Sequence, residues 1–338
     1  MADGEKLIYT VLEVLISVGC CLGNVLVIWA VWSSRALKQT TFCFVVSLAV
    51  ADLLVGLVAV PLAVLVDGRL KTSFHSCLFI SCVLIVLTQA SVHSLLAIAV
   101  DRYLRVYNPL RYRGAVKKQH LWIAVTVCWL SAAVLGLIPM FGWHKENTTT
   151  PENSTITCQF ISVIPMSYMV NFIFFACLLP PTFIMMLLYL LIFTMISKQL
   201  RKGVGRGMAS NSFYQKEQKL ATSLALVLVL FAGCWLPLHI MNALNYYYTN
   251  IEVPILAFHI GILLSHANSA VNPIVYAFKI PKIKMAYKSI LMKLTSSEQM
   301  AEQSSQTWDN NGSTNSNNTV RCTMKIKPQV ILTANQDH

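Results

Sequence analysis

Long apolar runs alternate with short polar, basic intervals along most of this chain. The runs lie near 7–32, 41–66, 76–101, 120–142, 165–196, 219–246 and 254–277. A span needs about 20 apolar residues to cross a hydrocarbon core of roughly 30 Å. The pattern therefore predicts an all-α fold, a seven-transmembrane helix bundle within one domain over 1–294, with its termini on opposite sides of the membrane. Past the last run, Lys282, Lys284, Lys288 and Lys293 alternate with Ile283, Met285, Ile290 and Leu291. This predicts a short amphipathic helix over 281–294 lying on an anionic membrane surface, a merely solvated helix being the alternative. From Thr295 to His338 the chain is rich in Ser, Asn, Gln and Thr, which predicts a disordered cytoplasmic tail.

Composition agrees: 56% of residues are hydrophobic and 12% charged, about half the charge of an ordinary soluble domain. The net charge of +12 does not point to nucleic acid, because the basic residues punctuate the gaps between runs. Arg35 and Lys38 follow span 1, Arg102, Arg105, Arg111, Arg113, Lys117 and Lys118 close or follow span 3, and Lys198, Arg201, Lys202 and Arg206 follow span 5. By the positive-inside rule those loops face the cytoplasm, the N-terminus lies outside and the C-terminus inside. The sequons at Asn147 and Asn153 fall in the loop after span 4, on the side where glycosylation occurs, and those at Asn311 and Asn317 fall on the other. The start, MADGEKLIYT, lacks the features of a cleavable signal peptide. Ten cysteines have no metal-ligand spacing, and Cys77, at the outer end of span 3, and Cys158, in the loop after span 4, stand out as disulfide candidates.

Charges within spans are expensive, so Glu13, Asp52 and Asp101 are each candidates for function. Internal prolines at Pro139, Pro180, Pro181, Pro237 and Pro273 open helix ladders, as suits a protein that changes shape. Asn24, Asp52 in Leu-Ala-Val-Ala-Asp, Asp101-Arg102-Tyr103, Cys234-Trp235-Leu236-Pro237 and Asn272-Pro273-Ile274-Val275-Tyr276 occur in that order, one per span. The set resembles the signature of rhodopsin-like G-protein-coupled receptors.

Asp52, Ser91, Asn268 and Asn272 are polar side chains in apolar helices, and a carboxylate there needs a partner, either a small cation or a water-filled hydrogen-bond cluster. The resemblance implies a sodium ion acting as an allosteric modulator. Arg102 has Asp101 beside it and Glu217 near the start of span 6, a carboxylate pair that could latch an inactive state. The resemblance places Tyr189 and Tyr276 around the cavity that opens when the latch releases, and it implies a disulfide between Cys77 and Cys158.

The ligand class follows partly from absences. The outer half of span 3 has no Asp to hold an amine, and span 7 has no mid-membrane Lys for a retinal Schiff base. What remains is neutral and hydrogen-bonding: Asn242 and His239 above Trp235, Ser265 and His266 in span 7, and Phe160 after Cys158. An Asn amide both donates and accepts, matching an adenine edge, and Phe160 could stack on the purine. Trp-Leu-Pro-Leu-His-Ile-Met-Asn over 235–242, Leu-Ser-His-Ala-Asn-Ser over 264–269, Thr88-Gln89, Cys-Gln-Phe over 158–160 and Pro-Met-Ser-Tyr-Met over 165–169 resemble adenosine receptors. The resemblance implies that Asn242 and Phe160 hold adenine, that Leu84, Ile85, Met169, Leu238, Phe258 and Ile262 line it, and that Thr88, Ser265 and His266 contact the ribose, with Glu13 supporting His266. Gln89, Trp235 and His239 belong to the same expected site. Ile161 and Ile173 stand where many adenosine receptors carry polar residues, which resembles an inhibitory subtype, although Gln89 and Pro109-Leu110-Arg111-Tyr112 resemble others.

The expectation is therefore a plasma-membrane receptor for adenosine, without cofactor, that partners a heterotrimeric G protein of the inhibitory class. Coupling to a stimulatory G protein is the alternative. Arrestin, a receptor kinase and membrane lipids are further implied partners. A polytopic transporter would also suit broken helices and a midplane Asp52, but no internal repeat is visible. An enzyme is disfavoured, since no catalytic constellation sits at a common depth.

Overall fold

The computed structural model describes residues 3–33, 40–146, 155–202, 208–248, 250, 253–280, 282–290 and 292. The expectations attached to Arg35, Lys38, Asn147, Asn153, Arg206, Leu291, Lys293, Asn311 and Asn317, and to the tail as a whole, lie outside the described residues. Every element named below belongs to the compact unit Met1–Ile290.

Among the described residues, seven helices are long and apolar enough to cross a membrane: Gly4–Ser33, Thr41–Leu65, Phe74–Tyr107, Gln119–Phe141, Tyr168–Arg201, Ser212–Tyr247 and Ile255–Lys279, numbered here as spans 1 to 7. The apolar pattern predicts their order and centres, but several run further than their hydrophobic stretches. Span 3 continues past Asp101 to Tyr107 and span 6 begins at Ser212, so Glu217 lies inside a helix instead of opening it. Helical hydrogen bonding does not stop where hydrocarbon stops, and exposed polar turns simply extend the rod. The short helix after span 7 covers 282–290.

Two features escape an apolar-run reading. A two-stranded antiparallel sheet pairs β1, Asp67–Thr72, with β2, Ile156–Gln159, in the register Asp67 to Gln159 and Thr72 to Ile156. A disulfide joins Cys158 of β2 to Cys77 in the first turns of span 3, with Cα atoms 5.5 Å apart, as the family resemblance implies. Neither strand is long or apolar, so each carries only the weak local signal of a short strand. The second feature is π-helical geometry within span 2 at Val55–Ala59, just before Pro61, and in span 5 at Tyr168–Leu178, ahead of Pro180 and Pro181. Proline lacks the donor that an α-helical turn needs, and a widened turn is one way the ladder absorbs it.

Span 3 packs against spans 2, 4 and 5 and so runs through the middle of the bundle. Its approach to span 4 is close: a Cβ on Gly136 would sit 2.7 Å from the Val86 amide nitrogen. Such close approach between helices is how bundles gain dispersion energy where lipid removes the hydrophobic drive. Leu15, Val134, Leu190 and Val229 point outward and are exposed, whereas Asn24, Asp52, Asp101 and Asn272 are buried. That inversion of a soluble protein suits a hydrocarbon surround.

Candidate functional site

Glu13 is completely buried in span 1, and its partner comes from span 7: His266 Nδ1 lies 2.8 Å from Oε2 and 3.0 Å from Oε1. Tyr9, one turn away on span 1, lies beside the same carboxylate. His266 is thus held by one ring nitrogen, which leaves Nε2 to face elsewhere, and orienting an imidazole through one nitrogen fixes what the other can do. Ser265, beside it, is buried and donates to the Ile262 carbonyl at 2.7 Å, with its oxygen still able to accept.

Leu84 and Ile85 of span 3, Phe160 and Met169 share one apolar cluster, whose buried members include Cys77, Cys158, Tyr168 and Ile173. The disulfide and the sheet bring Phe160 there, because Phe160 follows β2 directly. On span 6, Trp235, His239 and Asn242 repeat at helical spacing. The His239 ring stacks on Phe174 of span 5 at 5.3 Å and on Trp235 at 5.9 Å. Gly261 abuts Leu238, since a Cβ there would lie 3.4 Å from the Leu238 Cα, and this brings Leu238 beside the turn carrying Ile262. Asn242 and Phe258 are half-buried, and their side chains make no hydrogen bond or ring contact among the described residues.

Thr88 donates to the Leu84 carbonyl at 3.0 Å. Gln89 is completely buried, and both its amide atoms, like Trp235 Nε1 and His239 Nδ1, have no partner among the described residues. Of the two departures noted from polar pockets, Ile173 is buried in the cluster, whereas Ile161 is 60% exposed.

Below this region Asp52 accepts from Asn272 Nδ2 at 2.8 Å, Ser269 Oγ at 2.9 Å and Ser91 Oγ at 3.2 Å. Asn24 Nδ2 donates to the Ser269 carbonyl at 3.0 Å, tying span 1 into the network. The sequence reading put Asn268 in this set and omitted Ser269. In the fold it is Ser269 that reaches the carboxylate, while the buried Asn268 keeps an unpartnered Oδ1 among the described residues. Asn268 and Ser269 are neighbours on one helix and point in different directions, and only the rotation of span 7 selects between them.

At the far end Arg102, nearly fully buried, donates from NH1 to Glu217 Oε2 at 2.9 Å and from NH2 to Asp101 Oδ2 at 2.8 Å. The expected pair to both carboxylates is therefore present. Three residues not anticipated join it: Arg105 Nε reaches Glu217 Oε1 at 3.0 Å, Thr41 Oγ1 donates to Asp101 Oδ2 at 2.5 Å, and the Tyr112 hydroxyl donates to Asp101 Oδ1. Arg105 stands one turn from Arg102, a spacing that could have flagged it; Thr41 and Tyr112 carried no signal. Tyr189 and Tyr276 are both buried, and the Tyr276 hydroxyl has no partner among the described residues. Tyr103, half-buried, stacks on Tyr107 at 5.6 Å.

Among the described residues the arrangement is a polar and aromatic cluster at one end, a polar core, and a charged latch at the other. Residues 23–276 match the family model described as 7 transmembrane receptor (rhodopsin family). The chain is 46% identical over 281 residues to adenosine receptor A3 of Canis lupus familiaris, covering 82% of this chain and 89% of that one. It is similar at 46% and 47% over 284 residues to the receptors of the same name from Ovis aries and Bos taurus, covering 84% of this chain and 89% of each.

Proposed function

Because the chain belongs to the rhodopsin family of seven-transmembrane receptors and stands among its adenosine receptors, we propose that it responds to extracellular adenosine and signals through a heterotrimeric G protein. It is a multi-pass plasma-membrane protein and a receptor, and the transporter alternative gives way to that family membership. The Glu13–His266 pair carries the ligand reading: a buried acid has no reason to be kept in an apolar helix unless something uses the imidazole it orients. In this reading His266 and Ser265 meet the ribose hydroxyls, Asn242 pairs with the adenine edge, and Phe160 stacks on the ring among Leu84, Ile85, Met169, Leu238, Phe258 and Ile262. Gln89 and His239 offer buried, unpartnered polar atoms near the ribose end.

The Lys/Arg bias supports a cytoplasmic location for the Arg102 end, with the N-terminus outside. Inhibitory coupling is favoured by the buried Ile173, since that departure resembles an inhibitory subtype. The latch ties span 3 to span 6, so an agonist that fits a contracted outer site better than the resting one draws the population toward a state with the latch open. Arg102, Tyr189 and Tyr276 then face the G protein. Arrestin and a receptor kinase would read the same opened face.

Asp52, Ser91 and Ser269 bring oxygen atoms together, the donor chemistry a small hard cation prefers. These residues suit sodium, which would supply a counter-charge to Asp52 in the resting bundle.

The test is cAMP in forskolin-treated cells expressing the intact chain or Asn242→Ala, titrated with adenosine after adenosine deaminase has cleared the background. The expected result is a fall in cAMP that disappears in the surface-expressed variant. A rise would keep the ligand and reverse the coupling, and no response from surface-expressed protein would reject adenosine.

A further inference from the structure

Span 1 turns one face toward spans 2 and 7, and Glu13, Ser17, Cys20 and Asn24 recur along it at helical spacing. Three of these meet span 7: Glu13 holds the His266 ring, Cys20 Sγ donates to the His266 carbonyl at 3.9 Å, and Asn24 donates to the Ser269 carbonyl. Ser17 reaches span 2 instead, its Oγ donating to the Gly56 carbonyl at 2.7 Å. The two helices are close there, since a Cβ on Gly56 would lie 2.7 Å from Cys20 Cβ and 3.0 Å from the Ser17 carbonyl oxygen. A serine inside a helix commonly returns its hydroxyl to a carbonyl one turn back in its own helix. A hydroxyl spent instead on the backbone of another helix, 39 residues away, calls for a reason.

Gly56 lies in the π-helical stretch Val55–Ala59, where the Val60 N–H donates to the Val55 carbonyl, five residues back. The next donor in that register would belong to residue 61 and would be aimed at the Gly56 carbonyl, but Pro61 has no N–H to give. The Gly56 carbonyl is therefore the acceptor that bulge and proline together leave open, on a buried residue where an unmade hydrogen bond is costly. Ser17 satisfies it from outside the helix. A π turn holds more residues than an α turn, so it rotates the two halves of span 2 against each other by up to about 100° relative to an unbroken helix. Asp52 stands one turn before Gly56, and its contacts with Ser91, Ser269 and Asn272 depend on that rotation. We propose that Ser17 is a positioning residue: by capping Gly56 it holds the bulge open, and the bulge sets the direction in which Asp52 faces spans 3 and 7. The effect on signalling rests on the sodium reading of Asp52, and the cap itself does not.

The pair Gly-Leu occurs twice in the sequence, at Gly56 and at Gly136. Receptor labelled with carbon-13 at the glycine carbonyls and nitrogen-15 in leucine therefore yields two selected carbonyl resonances by solid-state NMR. A second sample carries carbon-13 at the aspartate carboxyls, with the Asp52 resonance identified by its loss in Asp52→Asn. The intact receptor is compared with Ser17→Ala, which removes the hydroxyl, and Ser17→Thr, which keeps it; size-exclusion elution and thermal unfolding confirm that each is folded. In Ser17→Ala the Gly56 and Asp52 resonances should both move while that of Gly136 stays. The sodium concentration that half-maximally weakens agonist binding should rise about tenfold in the same variant. Ser17→Thr should behave as the intact receptor. An unmoved Gly56 resonance overturns the cap, and a moved Gly56 with Asp52 unmoved overturns the positioning. Equal changes in Ser17→Thr and Ser17→Ala would make the effect one of bulk and overturn the role of the hydroxyl. A receptor indifferent to sodium rejects the cation reading, and the Asp52 resonance then decides the positioning without it.

Discussion

A carboxylate inside an apolar bundle is costly until its charge is shared, and this chain shares each one differently: Glu13 with an imidazole, Asp52 with two hydroxyls and an amide, Asp101 with a guanidinium and two hydroxyls. Breaking one side of such a pair leaves the other buried alone. His266→Ala should therefore destabilise the receptor by about 3–5 kcal/mol, and Glu13→Gln by clearly less, because a neutral amide still hydrogen-bonds the ring. Thermal unfolding of the two antagonist-bound variants checks the order. At Asp52, exchange to Asn keeps a similar shape and removes the charge. Asp52→Asn should abolish the effect of sodium on agonist affinity, measured by titrating sodium chloride against a choline chloride control; an unchanged sodium effect would leave only a hydrogen-bond cluster there.

Between elements, the decisive contacts are those of span 3. Glu217 holds both Arg102 and Arg105, so removing its charge weakens two ties between spans 3 and 6 at once. Glu217→Gln should raise agonist-free nucleotide exchange on the G protein several-fold, whereas Arg105→Ala, which spares the Arg102 pair, should raise it less. On the opposite side of the same helix, Gly136 lets span 4 approach the backbone of Val86. Gly136→Ala would set a methyl group 2.7 Å from a backbone nitrogen that cannot rotate away. The expected loss is about 1–3 kcal/mol of stability, read as a lower unfolding midpoint with the ligand profile otherwise kept.

For the molecule as a whole, the outer site, the polar core and the latch are successive layers of one bundle, and their effects on affinity must be reciprocal. Adding the G protein should tighten adenosine binding about tenfold or more, and Glu217→Gln should reproduce part of that gain without it. Parallel agonist competitions with and without the G protein measure both. Much of this plan is legible in the chain. Span length and order are local properties, since each apolar run must cover the same hydrocarbon thickness wherever its neighbours stand. Asp52, Arg102 and Glu13 announce themselves because charge in an apolar run is conspicuous by itself. Partners are another matter. That Ser269 and not Asn268 reaches Asp52, that Arg105 joins Glu217, that Tyr112 caps Asp101, that Ile173 is buried where Ile161 is exposed, and that β1 pairs with β2 beside the Cys77–Cys158 bridge all depend on the rotation and axial offset of one segment against another. A helix rotates by about 100° per residue, so a small change in packing exchanges which of three neighbouring side chains faces inward. The sequence alone therefore determined which residues must find partners within the membrane, and the packing of seven helices against one another decided which partners they found.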